Sequence, residues 1–192
     1  MAVTRTGILG GVFDPPHVGH VALGRSAIAA LALDELRVLV VADPGHKAPV
    51  SPAAIRLELA RLAFEDVPEA RVDLDPHART VDSLEALRLE DAYFVLGADQ
   101  LASFESWKSP ERVLQLVRLA VAMRPGVSRE AVETVRRRFD AGDRIVEFEM
   151  APVPVSSSEI RERVARGEAV DDAVPAEVAE AIARLGLYGA AE

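Results

Sequence analysis

The chain has 192 residues, a formal charge of −9 and no cysteine, and 49% of its residues are hydrophobic. This length and composition suit one well-buried domain over residues 1–192, whereas the acidic balance and the 5% aromatic content argue against binding of nucleic acids or membrane surfaces. The absence of cysteine excludes disulfides, thiolate nucleophiles and thiolate metal sites.

Apolar runs of strand length alternate with helical patterns along the chain. The predicted strands cover residues 7–9, 36–41, 71–74, 93–96, 118–123 and 145–150. A predicted helix covers 21–33, and others start at Ser51-Pro52, Thr80, Ser109-Pro110, Ser128, Ser156 and Val174-Pro175. This alternation predicts an α/β protein with a Rossmann-like, doubly wound parallel sheet and helices on both faces. Ligands bind beyond the carboxyl ends of such strands, so the loops after the strands are expected to meet at one edge.

The turn after the first predicted strand, residues 10–20, has the chemistry of a phosphate site. Gly10 and Gly11 allow the main chain to approach a ligand closely, and the free N–H groups of Val12, Phe13 and the following helix start attract an anion. His17 and His20 are three residues apart, so a helical first turn places both imidazoles near one face, where they can donate hydrogen bonds to phosphate oxygens. The alternatives are a zinc site, which lacks further His or Cys ligands nearby, and a purely structural pair.

A second polar stretch, residues 155–161, combines a serine-rich helix start with an arginine. Ser156 and Glu159 have the spacing of a capping box, which on its own indicates a capped surface helix. The hydroxyl groups of Ser157 and Ser158 and the guanidinium group of Arg161 also suit the binding of phosphate oxygens.

Further candidate site residues lie in loops after other predicted strands: His46, Lys47, Arg79, Thr80, Gly97, Asp99, Trp107 and Arg124. Lys47 is either a solvated charge or the counter-charge of a phosphate. Asp99 caps a helix, binds a ribose hydroxyl or orients a substrate. Trp107 belongs either to the core or to a surface that stacks against a flat ring. Arg124 either closes a turn or binds a phosphate. His77 has no supporting context, and we place it on the surface.

Residues 11–20 carry every named position of the G-x-F-D-P-x-H-x-G-H motif of the nucleotidylyltransferase superfamily, which this stretch resembles. Residues 155–161 resemble the I-S-S-T-x-I-R motif of the same superfamily, with Val155 for Ile and Ser158 for Thr. From residue 7 to residue 188 the chain is similar to the bacterial nicotinate-nucleotide adenylyltransferase family. The resemblance extends through P-x-H-K at 44–47, T-x-D-x-L at 80–84, L-G-A-D at 96–99, Trp107, R-P-G at 124–126, V-P at 174–175 and G-L-Y at 186–188.

That resemblance implies ATP as a substrate, Mg²⁺ as a cofactor, nicotinate mononucleotide as the acceptor and a role in NAD biosynthesis. The chain departs from the family on the acceptor side. Residues 78–80 read Ala-Arg-Thr where the family usually has Ser-Tyr-Thr, and residues 44–47 read Pro-Gly-His-Lys where it has Pro-Pro-His-Lys. In the family these segments shape the pocket for the pyridine ring and its carboxylate, and Arg79 would favour a ring that carries a carboxylate.

The expected chemistry is in-line attack of a nucleotide 5′-phosphate on the α-phosphorus of ATP, which needs alignment and charge neutralisation but no general base. The expected catalytic residues are His17, His20, Lys47 and Arg161. The expected ATP contacts are Gly10, Gly11, Val12, Phe13, His17, His20, Gly97, Asp99, Ser156, Ser157, Ser158, Ile160 and Arg161. The expected acceptor contacts are His46, Lys47, Arg79, Thr80, Asp99, Trp107 and Arg124. Mg²⁺ is expected to be carried by the ATP phosphates and water rather than by a protein metal site.

Several alternatives stay open at this point. They are adenylyl transfer to nicotinamide mononucleotide or to phosphopantetheine, cytidylyl transfer, and a noncatalytic nucleotide sensor. The phosphopantetheine family usually has Thr at the position of His17. Residues 1–6 lack the features of a signal peptide and no apolar run reaches membrane-spanning length, so we expect a cytoplasmic protein. A homo-oligomer is possible.

Overall fold

The computed structural model describes residues 4–45, 49–124 and 129–189. In these ranges six parallel strands form one sheet in the order β3-β2-β1-β4-β5-β6. The strands are β1 (Thr6–Gly11), β2 (Glu35–Val41), β3 (Ala70–Asp75), β4 (Ala92–Gly97), β5 (Arg118–Met123) and β6 (Ile145–Glu149). Each predicted strand is confirmed, and so is the doubly wound α/β architecture.

Eight α-helices in the described ranges connect and cover the strands. They are α1 (Val18–Leu31), α2 (Ala53–Ala63), α3 (Thr80–Leu87), α4 (Ala98–Leu101), α5 (Pro110–Leu116), α6 (Glu130–Phe139), α7 (Ser157–Ala165) and α8 (Ala176–Leu185). Single 3₁₀ turns lie at Phe104–Ser106 and Gly142–Arg144. Helices pack on both faces because consecutive strand residues point in opposite directions: Leu9 belongs to one buried cluster and Ile8 to the other.

The order of the strands reverses at β1, which pairs with β2 on one side and β4 on the other. The pairing of β1 with β2 continues to Gly11, opposite Val40, whereas the pairing with β4 ends at Ile8, opposite Phe94. A crevice therefore opens between the carboxyl ends of β1 and β4, at the topological switch point of the sheet.

Some predicted helix details are wrong. Pro52 precedes α2 instead of being its first residue, and Thr80 is the first residue of α3 instead of its cap. The predicted start of the last helix at Val174-Pro175 is confirmed, since Pro175 directly precedes α8. The predicted start at Ser128 lies outside the described residues, and α6 begins at Glu130.

The buried face of α2 includes a charged residue. Leu59 and Ala63 are buried, and so is Arg56, whose side chain is fully enclosed. Its surroundings are part of the candidate site.

Candidate active site

The turn between β1 and α1 has a tightly packed main chain. Phe13 is buried with φ of 53°, and its ring lies edge-on to His20 at 4.9 Å between centroids. A Cβ at Gly11 would lie 3.0 Å from this ring, so a side chain at that position would displace Phe13. The glycine is therefore required where the chain turns towards the crevice.

His17 and His20 lie against each other at the start of α1, which confirms the predicted placement of both rings on one face. Their rings are stacked at 3.7 Å between centroids. The backbone N–H of His17 donates to Nδ1 of His20 at 3.2 Å. Because Nδ1 of His20 accepts this bond, the proton of the neutral ring is on Nε2, which is then a donor.

Both imidazoles are neutral at neutral pH. Burial lowers the pKa of His17 to about 4. Burial, together with the neighbouring His17, lowers the pKa of His20 well below its usual value. Within the described residues Nδ1 of His17 is buried and has no hydrogen-bond partner. The pair therefore offers a ring donor and an unpartnered ring nitrogen without charge of its own.

The start of α7 contacts the main chain of the same turn. The hydroxyl of Ser157 donates to the carbonyl of Pro15 at 2.8 Å, and the guanidinium of Arg161 donates to the carbonyl of Asp14 at 2.7 Å. Arg161 also donates to the hydroxyl of Ser158 at 3.2 Å. The structure thus brings together the two polar stretches that lie near opposite ends of the sequence.

The remaining predicted residues of α7 anchor the helix. Ser156 is its N-cap, as predicted, and accepts a hydrogen bond from the backbone N–H of Glu159 at 3.2 Å. The side chain of Ile160 is fully buried in the core, which leaves its main chain for any contact with a ligand.

The buried carboxylate of Asp14 connects three separate segments. One oxygen accepts from the backbone N–H groups of Val50 and Ser51, at 2.6 and 3.2 Å. The other oxygen accepts from the hydroxyl of Tyr188 at 2.7 Å, and burial raises the pKa of that hydroxyl. The β1–α1 turn, the segment before α2 and the C-terminal segment are therefore held together.

Arg56 is a second connecting residue that sequence analysis did not identify. Its guanidinium donates to four main-chain carbonyls, those of Val12 and Val41 at 2.8 Å, Ala42 at 2.9 Å and Ser51 at 3.1 Å. Burial lowers its pKa. The arginine between apolar residues of the α2 sequence is the feature that could have indicated it.

A cleft of about 610 Å³ lies beside Gly10, Gly11 and Val12, which we call the glycine turn, and follows the carboxyl ends of the strands. The predicted site residues that line it are Gly10, Gly11, Val12, Arg79, Thr80 and Trp107. The half-buried indole of Trp107 lies edge-on to Phe94 at 5.7 Å between centroids. Trp107 thus belongs partly to the core and partly to the cleft wall.

The other predicted residues have different positions. Asp99 is exposed in the first turn of α4, and Gly97, not Asp99, precedes that helix, so the capping alternative is wrong. The guanidinium of Arg124 lies 3.8 Å from the Cβ position of Gly97, at the end of β4. His46 and Lys47 lie outside the described residues, as do Pro125 and Gly126.

The prediction that His77 lies on the surface is only partly right, because its side chain is half-buried. His77 lines the cleft, and its Nδ1 lies 2.9 Å from the buried carboxylate of Asp75. Its sequence context gave no indication of this, because the contact depends on the burial of Asp75 at the end of β3.

Neutral imidazoles and a serine–arginine helix start, placed together at the switch point of a doubly wound sheet, define a nucleotide-binding α/β protein. The cytidylyltransferase-like family model matches residues 8–163. A probable nicotinate-nucleotide adenylyltransferase of Bordetella avium is 41% identical over 192 residues, which cover 96% of this chain and 98% of that relative. A probable nicotinate-nucleotide adenylyltransferase of Thermomicrobium roseum is 35% identical over 201 residues, covering 99% and 94%. The chain therefore belongs to the cytidylyltransferase-like family and, within it, to the nicotinate-nucleotide adenylyltransferases.

Solved structures share the fold. Plasmodium falciparum nicotinic acid mononucleotide adenylyltransferase complexed with NaAD superimposes with a TM-score of 0.78 at 17% identity, covering 96% of this chain and 97% of that one. The same Plasmodium enzyme complexed with APC gives a TM-score of 0.77 at 16% identity, with the same coverage. Among the described helices, none has the length and apolar character needed to cross a bilayer.

Proposed function

We propose that this chain transfers AMP from ATP to nicotinate mononucleotide, which yields deamido-NAD and pyrophosphate in NAD biosynthesis. The observation that carries the proposal is the contact of α7 with the β1–α1 turn, through Arg161 on Asp14 and Ser157 on Pro15. The names of relatives that align along nearly the whole chain support the choice of substrates.

In the proposed reaction an oxygen of the acceptor's 5′-phosphate attacks the α-phosphorus of ATP. A new P–O bond forms, and the bond to the bridging oxygen of the β-phosphate breaks, with its electron pair leaving on pyrophosphate. The attacking oxygen is already anionic, so no side chain has to remove a proton. The protein aligns the two phosphates and neutralises the charge that develops on the phosphoryl oxygens.

The site residues have separate roles in this reaction. The ring N–H of His20 and the ring of His17 hydrogen-bond the phosphoryl oxygens of ATP, assisted by the backbone N–H groups of the glycine turn. Ser158 and Arg161 bind the departing pyrophosphate. Because both imidazoles are neutral before ATP binds, no ion pair within the protein has to break before they bind the phosphates.

The acceptor occupies the cleft beside the turn. Trp107 and Thr80 line the part of the cleft that would hold its ring, with Arg79 next to them. Lys47 would counter the charge of the acceptor phosphate. Gly97, Asp99 and Arg124, which follow β4 and β5, would contact the nucleotides at the carboxyl edge of the sheet.

Mg²⁺ is the metal that ATP-dependent adenylyl transfer implies. The described residues contain no group of three or more His, Cys, Asp or Glu side chains suited to a metal ion. Both carboxylate oxygens of Asp14, in the turn itself, are occupied by protein donors. This donor set fits an ion held by ATP phosphates and water, which when bound would neutralise phosphate charge.

Pyrophosphate release tests the proposal. The protein is incubated with ATP and Mg²⁺ and, separately, with nicotinate mononucleotide, nicotinamide mononucleotide or phosphopantetheine, and with CTP in place of ATP. We expect release with ATP and nicotinate mononucleotide at a kcat/KM well above that of the other pairs. Preferred use of another acceptor would reassign the substrate, and ATP binding without release from any acceptor would indicate a nucleotide sensor.

A further inference from the structure

A buried carboxylate fixes the orientation of an imidazole in the wall of the cleft. One oxygen of Asp75, the last residue of β3, accepts from the backbone N–H of His77 at 3.0 Å and lies 2.9 Å from its Nδ1. The other oxygen accepts from the hydroxyl of Ser83 at 2.5 Å. Asp75 is 6% exposed. Its bonds therefore leave the imidazole of His77 one favoured orientation.

The second ring nitrogen of His77 is available to a ligand. Since Nδ1 faces the carboxylate of Asp75, Nε2 is the remaining hydrogen-bonding atom, and in the described part of the chain it has no recorded partner. The side chain is 36% exposed and lines the cleft. A carboxylate behind an imidazole is the arrangement that orients a histidine towards a ligand.

The charges around His77 favour an acidic ligand. Arg79 and Lys108 line the same cleft as His77. The carboxylates nearby are already engaged, that of Asp75 with His77 and Ser83, and that of Asp82 with Lys108 at 2.7 and 2.9 Å. An incoming carboxylate therefore meets cationic and hydrogen-donating groups rather than a free acid.

We propose that His77, held by Asp75, is a specificity-determining residue that hydrogen-bonds through Nε2 to the carboxylate on the acceptor's ring. The inference rests on the proposed function, and it assigns to His77 the distinction between nicotinate mononucleotide and nicotinamide mononucleotide. The cleft extends from the glycine turn to His77 and its volume is in the range of small-ligand pockets. One acceptor can thus contact the turn with its phosphate and His77 with its ring.

Discrimination follows from charge. Hydrogen bonds to a carboxylate on each side need the doubly protonated ring, whose Nδ1–H donates to Asp75 and whose Nε2–H donates to the ligand, each as a charge-assisted bond. A carboxamide offers no charge, so its bond to the same nitrogen is the weaker one. The difference between a charged and a neutral hydrogen bond corresponds to about 10- to 100-fold in the ratio of kcat/KM values.

The test compares nicotinate mononucleotide with nicotinamide mononucleotide in the wild type and in His77→Gln, Asp75→Asn, Arg79→Gln and Arg71→Gln. The readouts are the ratio of the two kcat/KM values and, in parallel, the Kd of nicotinate mononucleotide from calorimetry. We expect His77→Gln to lower the ratio and weaken binding by about 10-fold or more, and Asp75→Asn to shift both in the same direction. Arg71, exposed on β3, is the matched control whose replacement leaves both values unchanged.

Different results would overturn the role of His77 and the proposed function. An unchanged ratio and an unchanged Kd in His77→Gln, with an active wild type, overturn the role of His77 and leave the proposed function intact. If Arg79→Gln is the one variant that loses selectivity, then Arg79 determines the selectivity and the inference about His77 is overturned. A wild type that transfers no AMP to either mononucleotide overturns the proposed function, and the Kd comparison still decides whether His77 binds the acidic ring. Asp75 is a positioning residue, and a merely structural role would lower both kcat/KM values without changing their ratio.

Discussion

The guanidinium of Arg161 donates a hydrogen bond of 2.7 Å to the carbonyl of Asp14, which lies 147 positions earlier in the chain. A contact at this sequence separation forms only when the last βα unit has packed against the first. The proposed phosphate site therefore forms only in the completed fold, and neither polar stretch constitutes it alone. This dependence makes Arg161 the most direct test of the site.

Replacing Arg161 with Ala should lower kcat by about 10²-fold, because a charged donor to the departing pyrophosphate is lost. The stability cost should be about 1 kcal/mol, since one hydrogen bond to a carbonyl is removed. Steady-state kinetics and urea unfolding measure the two effects. Arg163→Ala is the matched control: Arg163 lies on the same helix, and its ion pair with Asp172 is exposed. Equal losses of activity in both variants would argue against a site role for Arg161.

Replacing His20 with Ala should reduce kcat by about 10²- to 10³-fold without unfolding the protein, because the ring N–H that binds the phosphoryl oxygens disappears. His20→Gln places an amide near the position of Nε2 and should retain more activity than His20→Asn, whose amide replaces Nδ1. Circular dichroism confirms folding, and single-turnover rates give the effect on chemistry. Unchanged turnover in His20→Ala would remove the central role given to this residue.

The strands were predictable from sequence because buried parallel strands are nearly continuous apolar runs. The strand 118–123 has its predicted limits for this reason. Helix starts were less predictable: Thr80 has the residue type of a cap, yet the chain enters the helix one residue earlier, at Arg79. Local preference and tertiary packing compete at such positions, and packing decided the outcome.

The two polar stretches of the candidate site were predictable because each of them is contiguous in the sequence. The connecting residues were not, because their partners are distant main-chain atoms. Arg56 bonds four carbonyls, at the end of β2 and in the two segments that follow β1 and β2, and no spacing within α2 encodes them. His77 was assigned to the surface because its sequence context does not indicate its contact with Asp75, which is buried at the end of β3. Such contacts become visible only once the strand order is known.

The stability of the protein should decrease as the pH decreases, and His17 should be one cause of this. Its pKa is about 4 in the folded protein and about 6.5 in the unfolded chain. The folded state thus favours the neutral ring, so this contribution is fully present above pH 6.5 and is lost as the pH falls from 6.5 towards 4. The total loss from this residue should be up to about 3 kcal/mol. Urea unfolding of the wild type and His17→Asn at pH 7.5, 5.5 and 4.5 should show the gap between them closing as pH decreases. A constant gap would contradict the assignment.

Replacing Arg56 with Met should destabilise the protein by about 3 kcal/mol, because four buried carbonyls lose their donor while the side-chain length is kept. Arg56→Lys should cost less, since an ammonium group still donates, although it lacks the planar fork that reaches two loops. Urea unfolding gives the free energies of unfolding. A nearly neutral Arg56→Met would mean that water replaces the guanidinium.

Replacing Tyr188 with Phe should cost about 1–2 kcal/mol, because one oxygen of the buried Asp14 carboxylate loses the hydroxyl that donates to it. The substitution should also lower kcat, since Asp14 lies in the turn that positions His17. A double-mutant cycle with Asp14→Asn separates the two contributions, and a coupling energy near 1 kcal/mol is expected for a direct hydrogen bond. The free energies come from urea unfolding and the rates from pyrophosphate release. If the two substitutions were additive, the C-terminal segment would be packed against the site without being energetically coupled to it, and the expected fall in kcat for Tyr188→Phe would be absent.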